Sequence, residues 1–142
     1  MIILVINCGS SSIKYQLLDM KNDDVYSLLA KGIVEKIGLE CGRLQHTPAG
    51  KEKVVKDLPV PDHTVGMQIV LDALIDKDHG VLKSFDDIEA VGHRIVQGAD
   101  FFSGSAIVDE DVIKKIDFCC DFAPLHNPAH LLGIRACQAV LP

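Results

Sequence analysis

Three short clusters in the sequence carry residue types suited to handling an anion. The first is Asn7-Cys8-Gly9-Ser10-Ser11-Ser12, with Lys14 two residues further on. A glycine and three serines supply a pliable backbone, free N–H groups and hydroxyls, the materials of a loop that wraps a phosphate. Lys14 adds a point charge. The spacing is not that of the Walker loop, because G-x-x-x-x-G-K is absent and a strand pattern follows where that motif needs a helix. A tight hairpin turn that simply favours Gly and Ser would have the same composition. Asn7 and Lys14, bracketing the loop, favour a ligand: a polar Asn closing an apolar strand needs a partner, and a phosphate or a metal-bound water would be one.

The second cluster, Val91-Gly92-His93-Arg94-Ile95-Val96, sets an arginine inside an apolar run. A charge there is costly unless paired. A buried carboxylate would satisfy it structurally. A bound carboxylate or phosphoryl group gripped by the planar guanidinium would satisfy it functionally, and this is the preferred reading. In a regular strand His93 faces the other way and reads as a hydrogen-bonded structural residue. The third cluster, Ala123-Pro124-Leu125-His126-Asn127-Pro128, puts His126 just before a helix N-terminus. N–H groups and the helix dipole attract anions there, and a histidine can donate to a phosphoryl group; taken alone, His126 reads as an exposed loop residue. His46, His63, His79 and His130 have no partner pattern and read as surface or helix-face residues.

The elements that must position these groups follow from periodicity. Ile2 to Ile6 is a β-branched run of the kind buried on both faces. The polar loop 7–12 follows, then strands over Ile13 to Asp19 and Val25 to Val34, separated by a turn at Lys21-Asn22-Asp23-Asp24. A polar hairpin is expected over 42–46 and 51–56, turning at Thr47-Pro48-Ala49-Gly50. A helix should start at Asp62 as N-cap, carry apolar residues at 65, 69, 70, 73 and 74, and end near Asp78-His79-Gly80. Glu89 to Val96 reads as a strand. Asp109 to Asp121 reads as a helix with Val112, Ile113, Ile116, Cys119 and Cys120 on one stripe and Asp109, Glu110 and Asp111 at its positive end. Asn127-Pro128 reads as an N-cap and N1 pair opening a last helix that runs almost to the end. The order β-β-β, hairpin, α, β, α, α describes an α/β fold with a mixed sheet. One more strand after the last helix would complete the layer, so the chain is expected to be part of a longer protein.

The chain has 142 residues, 14 basic against 20 acidic, and a formal net charge of −6. Hydrophobic residues make up 48% and charged residues 24%, globular proportions for one domain. The acidic balance argues against nucleic-acid or anionic-membrane partners, while a few local donors can still hold an anion. The apolar run Met1 to Ile6 is far shorter than the ~20 residues a membrane span needs, and a polar stretch follows it at once, unlike a secretory signal. Five cysteines, at 8, 41, 119, 120 and 137, form neither a C-x-x-C pair nor an even disulfide set. They read as buried thiols of a reduced, cytoplasmic protein. Cys8 has no basic neighbour in sequence that would make it a nucleophile.

A strand, a Gly/Ser turn and a second strand form the phosphate hairpin of actin-like ATPases and sugar kinases. The opening Ile3 to Tyr15, then Gly92-His93-Arg94-Ile95-Val96, then Pro124-Leu125-His126-Asn127-Pro128, in this order, resemble the acetate kinase family. The stretch after Arg94 reads Gln97-Gly98-Ala99, where that family usually has His-Gly-Gly. The resemblance implies an actin-like, ribonuclease H-like ATPase fold, with residues 1–142 forming the N-terminal acetate- and phosphoryl-binding domain of a two-domain kinase. It implies the reaction of ATP with acetate to give ADP and acetyl phosphate, assisted by Mg²⁺, and a homodimer at full length. It implies that Asn7 lies at the Mg²⁺ site and that Ser10, Ser12 and Lys14 face the nucleotide phosphates. Arg94 would hold the acetate carboxylate or the phosphoryl group, Val96 and Leu125 would line the methyl pocket, and His126 would donate to the phosphoryl in transfer. The family's catalytic Asp, a second Arg and a metal-binding Glu would lie beyond residue 142, so the chain alone is expected to have little or no kinase activity. A propionate or butyrate kinase of the same superfamily, or a non-catalytic anion-binding module, are the alternatives.

Overall fold

The computed structural model describes residues 1–22, 24–95, 99–102 and 104–141. Six strands, β1 (Ile2–Gly9), β2 (Ser12–Met20), β3 (Tyr26–Glu35), β4 (Gly42–Pro48), β5 (Val54–Leu58) and β6 (Ala90–His93), form one sheet in the order β5-β4-β3-β2-β1-β6. The first five run as an antiparallel meander, and β6 returns to lie parallel to β1. A parallel return needs a crossover, and α1 (His63–Ile75) lies within it. Two further helices, α2 (Glu110–Phe118) and α3 (Asn127–Val140), complete the order. Among the described residues no helix is long and apolar enough to cross a membrane.

The strands alternate as a half-covered sheet should. Leu4, Ile6 and Cys8 of β1 and Ile13, Tyr15 and Leu17 of β2 are buried, together with Met67, Val70, Leu71 and Leu74 of α1 and Ala136 and Cys137 of α3. Both helices thus cover the same sheet face. A second small cluster, Ile113 and Ile116 with Ile134, packs α2 against α3. Gly133 permits the close seating of α3, since a Cβ there would collide with the Cys8 side chain.

Several expectations need correction. The polar loop expected over 7–12 shrinks to the turn Ser10-Ser11, because Asn7, Cys8 and Gly9 pair with Lys14, Ile13 and Ser12. The ladder uses backbone groups and is indifferent to side-chain polarity. The polar hairpin forms as β4 and β5, but its first strand runs on to Pro48, into the expected turn, and pairs with Ala30 to Glu35, so the hairpin widens the main sheet. Asp62 does cap α1, accepting from the Val65 N–H at 2.8 Å. The helix nevertheless ends at Ile75, since the Asp76 carboxylate captures the N–H groups of Asp78 and His79 at 2.8 and 3.0 Å. Its buried stripe includes Met67 and Leu71, and Val65 is exposed. Asn127 is not the cap of α3. His126 holds the cap position without a side-chain cap bond, while Asn127 is fully buried with its amide donating to the Ile116 carbonyl at 3.5 Å. His46, His63 and His130 are buried rather than on the surface.

Candidate active site

The uncovered face of the sheet forms a cleft of about 570 Å³. Its position follows from register. Asn7 of β1 stands directly opposite Lys14 of β2, and cross-strand partners project to the same side. Ile6 pairs with His93, and the next residue of that segment, Arg94, donates its backbone N–H to the Ile6 carbonyl at 3.1 Å. Alternation then turns His93 toward the helices and Arg94 toward the cleft. Arg94, Asn7 and Lys14 therefore stand side by side on three adjacent segments, and all three line the cleft. Lys31 of β3 and Lys53, just before β5, join them. The described lining holds these four cations and no carboxylate, although the whole chain has a net charge of −6. This is a local concentration of positive charge in an acidic protein.

The hairpin at the end of this row is held from two sides. His63, at the start of α1, donates its Nε2–H to the Gly9 carbonyl at 2.8 Å, and the Ile37 N–H donates to the Ser11 carbonyl at 3.0 Å. Gly9 leaves space for the Ser12 hydroxyl, which lies 2.8 Å from where a Cβ would stand. Ser10 and Ser11 are exposed at the tip and Ser12 is half-buried. Fixing the backbone in this way leaves the turn open to solvent yet rigid, as an anion cradle requires.

His126 approaches from the start of α3. Its ring stacks on that of His130, with centroids 6.3 Å apart and planes at 26°. Burial, then the Arg94 charge and His126, hold His130 below the usual imidazole range. Burial and then His130 lower His93 to about 4. Arg94, His126 and His93 are thus all electrostatically coupled to one buried histidine. Burial pushes the Cys8 thiol up to about 12, so it is no nucleophile at neutral pH.

The structure therefore brings Asn7, Lys14 and Arg94 into one cleft; Ser10 and Ser12 stand at the adjoining hairpin and His126 stacks on His130, and none of these three is among the described cleft residues. Leu125 is 80% exposed and is not among the described cleft residues. Val96, with Gln97 and Gly98, lies outside the described residues. Sequence reasoning missed Lys31 and Lys53, whose shared face depends on strand register, and His63 and His130, whose roles depend on helix placement. For His130 a signal existed in its spacing of four from His126, which puts both on one helix side.

A metal at Asn7 has one candidate oxygen, the side-chain carbonyl. Among the described residues no group of three His, Cys, Asp or Glu could hold a metal ion. The flanking Lys14 and Arg94 would repel a bare divalent cation but suit one carried on nucleotide phosphates, where protein ligands are few. The residues fit a metal of that kind.

A profile of the Acetokinase family matches residues 2–142. An acetate kinase from Treponema denticola is 54% identical over 140 residues, 99% of this chain and 34% of that protein. The crystal structure of Porphyromonas gingivalis acetate kinase superposes with a TM-score of 0.94 at 45% identity, over 99% of this chain and 35% of that one. A propionate kinase from Francisella tularensis superposes with a TM-score of 0.84 at 36% identity, over 99% of this chain and 34% of that one. The chain thus spans about a third of the length of the curated relatives it matches.

Proposed function

The chain belongs to the acetokinase family, and from that premise we propose that it is the N-terminal acetate- and phosphoryl-binding domain of a cytoplasmic, homodimeric acetate kinase. The reaction is reversible: an acetate oxygen attacks the γ-phosphorus of ATP, the bond to the β,γ-bridging oxygen breaks, and ADP and acetyl phosphate result. The observation that carries the reading is the row Arg94, Asn7, Lys14 beside a braced Gly/Ser hairpin, in a cleft with four cations and no described carboxylate.

Phosphoryl transfer asks little covalent chemistry of a protein and much positioning and charge stabilisation. Ser10, Ser12 and Lys14 hold the nucleotide phosphates from the hairpin. Arg94 orients the acetate carboxylate or the moving phosphoryl oxygens, and its fork binds best once charge spreads over them. His126 donates to the phosphoryl group in transfer. For Val96 and Leu125 the methyl-pocket role rests on the family resemblance alone. The Asn7 side-chain oxygen would help to hold a Mg²⁺ carried on the nucleotide, which would supply charge neutralisation at the phosphates.

The test is a hydroxamate assay on the protein that carries this chain. Acetyl hydroxamate should form only with ATP and Mg²⁺ present, and faster with acetate than with propionate or butyrate. A preference for propionate would favour the alternative substrate, in keeping with the likeness to the propionate kinase. ATP binding with no hydroxamate from any carboxylate would leave only an anion-binding module.

A further inference from the structure

His130 plays no part in the roles assigned above, yet it is the residue on which several of them converge. It lies one turn into α3, its N–H donating to the His126 carbonyl at 3.0 Å. It is 4% exposed, whereas His126 is exposed. The two rings lie nearly parallel, at 26°. His126 has no side-chain cap bond to fix it. One ring is therefore set by its packing, and the other, free to rotate toward solvent, rests on it. The Arg94 charge is felt at His130 as well. Burial first, then Arg94 and His126, disfavour a charge on His130.

We propose that His130 is a positioning residue: its buried ring is the platform that holds the stacked His126 ring in one orientation. The consequence for turnover rests on the phosphotransferase reading; the coupling of the two rings does not. A histidine at a helix cap that lacked this support would sample several rotamers, and loss of orientation at a transferring group is expensive in rate.

The experiment uses the protein that carries this chain, with histidines labelled for NMR and the His126 signals assigned by their loss in His126→Gln. In His130→Ala the His126 ring signals should shift, as the stacked ring's current is removed. The kcat should fall by roughly 10- to 100-fold, with KM for ATP and acetate unchanged. His130→Phe, a flat ring that carries no proton, should restore both the His126 signals and kcat, and it serves as the decisive variant if His130→Ala does not fold. Unmoved His126 signals in folded His130→Ala, or a folded His130→Phe as slow as the alanine variant, would overturn the proposal. If the wild-type protein makes no acetyl phosphate, the phosphotransferase reading fails, and the His126 signals alone then support or overturn the ring coupling.

Discussion

The Tyr15 hydroxyl donates to Nδ1 of His46 at 2.5 Å although their strands are not neighbours. Tyr15 pairs with Gly32 and Gly32 pairs with His46, so the tyrosine ring crosses β3 where β3 has no side chain. His46 Nε2–H donates to the His79 carbonyl at 3.1 Å, which assigns the ring's neutral tautomer and leaves Nδ1 as the acceptor. This buried chain ties β2, β4 and the segment after α1 together directly behind the Lys14 side of the cleft.

Gly32→Ala should be destabilising, because the new methyl would meet the Tyr15 ring and the Gln45 carbonyl. The expected loss is about 1–3 kcal/mol. Denaturant titration should show a lower midpoint with an unchanged slope. Wild-type stability would show that β3 has room at this point and that the crossing is not tight.

Stability should fall on the acid side through His93. Burial and His130 lower its pKa from 6.5 to about 4 in the folded chain. Between those values the unfolded chain binds the proton and the folded chain does not, so the contribution is complete above about pH 6.5 and drains as pH falls toward 4. The full loss is roughly 3 kcal/mol. His46 and His130 are lowered in the same direction and steepen the decline. His93→Gln should flatten it by up to about 1.4 kcal/mol per pH unit, read from urea titrations across this range. An unchanged slope would exclude His93 as the source.

Arg94→Ala and Lys14→Ala should separate by kinetics. Removing Arg94 removes an interaction that strengthens as charge develops, so kcat should fall by about 10²–10³ with a small change in KM. Removing Lys14 takes a charge from bound phosphates, and the KM for ATP should rise by roughly 10-fold or more. Steady-state assays on the protein that carries this chain decide it; wild-type kinetics in either variant would remove that residue from the site.

The thiols should react in order of exposure. Cys41 is exposed and Cys120 partly so, while Cys8, Cys119 and Cys137 are buried. Burial also raises Cys8 to about 12 and Cys137 to about 11. Alkylation at mildly alkaline pH, followed by peptide mass mapping, should label Cys41 first, Cys120 more slowly and the other three only on unfolding. Early labelling of Cys8 would contradict the seating of α3 on β1.

Much of this protein is written in its local sequence. The β-branched run at the N-terminus, the Asp62 cap, the acidic start of the helix at 109–111 and the Gly/Ser turn each act through neighbours in the chain, so strand, helix starts and hairpin are legible without coordinates. The chemistry of the three clusters was legible too, because residue type sets what Lys14, Arg94 and His126 can donate. What the sequence left open was decided by long-range register and packing. The pairing of β3 with β4 joined the hairpin to the main sheet, and the β2–β3 register put Lys31 on the face shared with Lys14. The fit of Gly133 against Cys8 fixed α3 over β1, which buried His130 beneath the His126 ring. Such relationships depend on which surfaces meet across tens of residues. No local spacing encodes that choice, since a one-residue slip in register would turn every side chain of a strand to the opposite face.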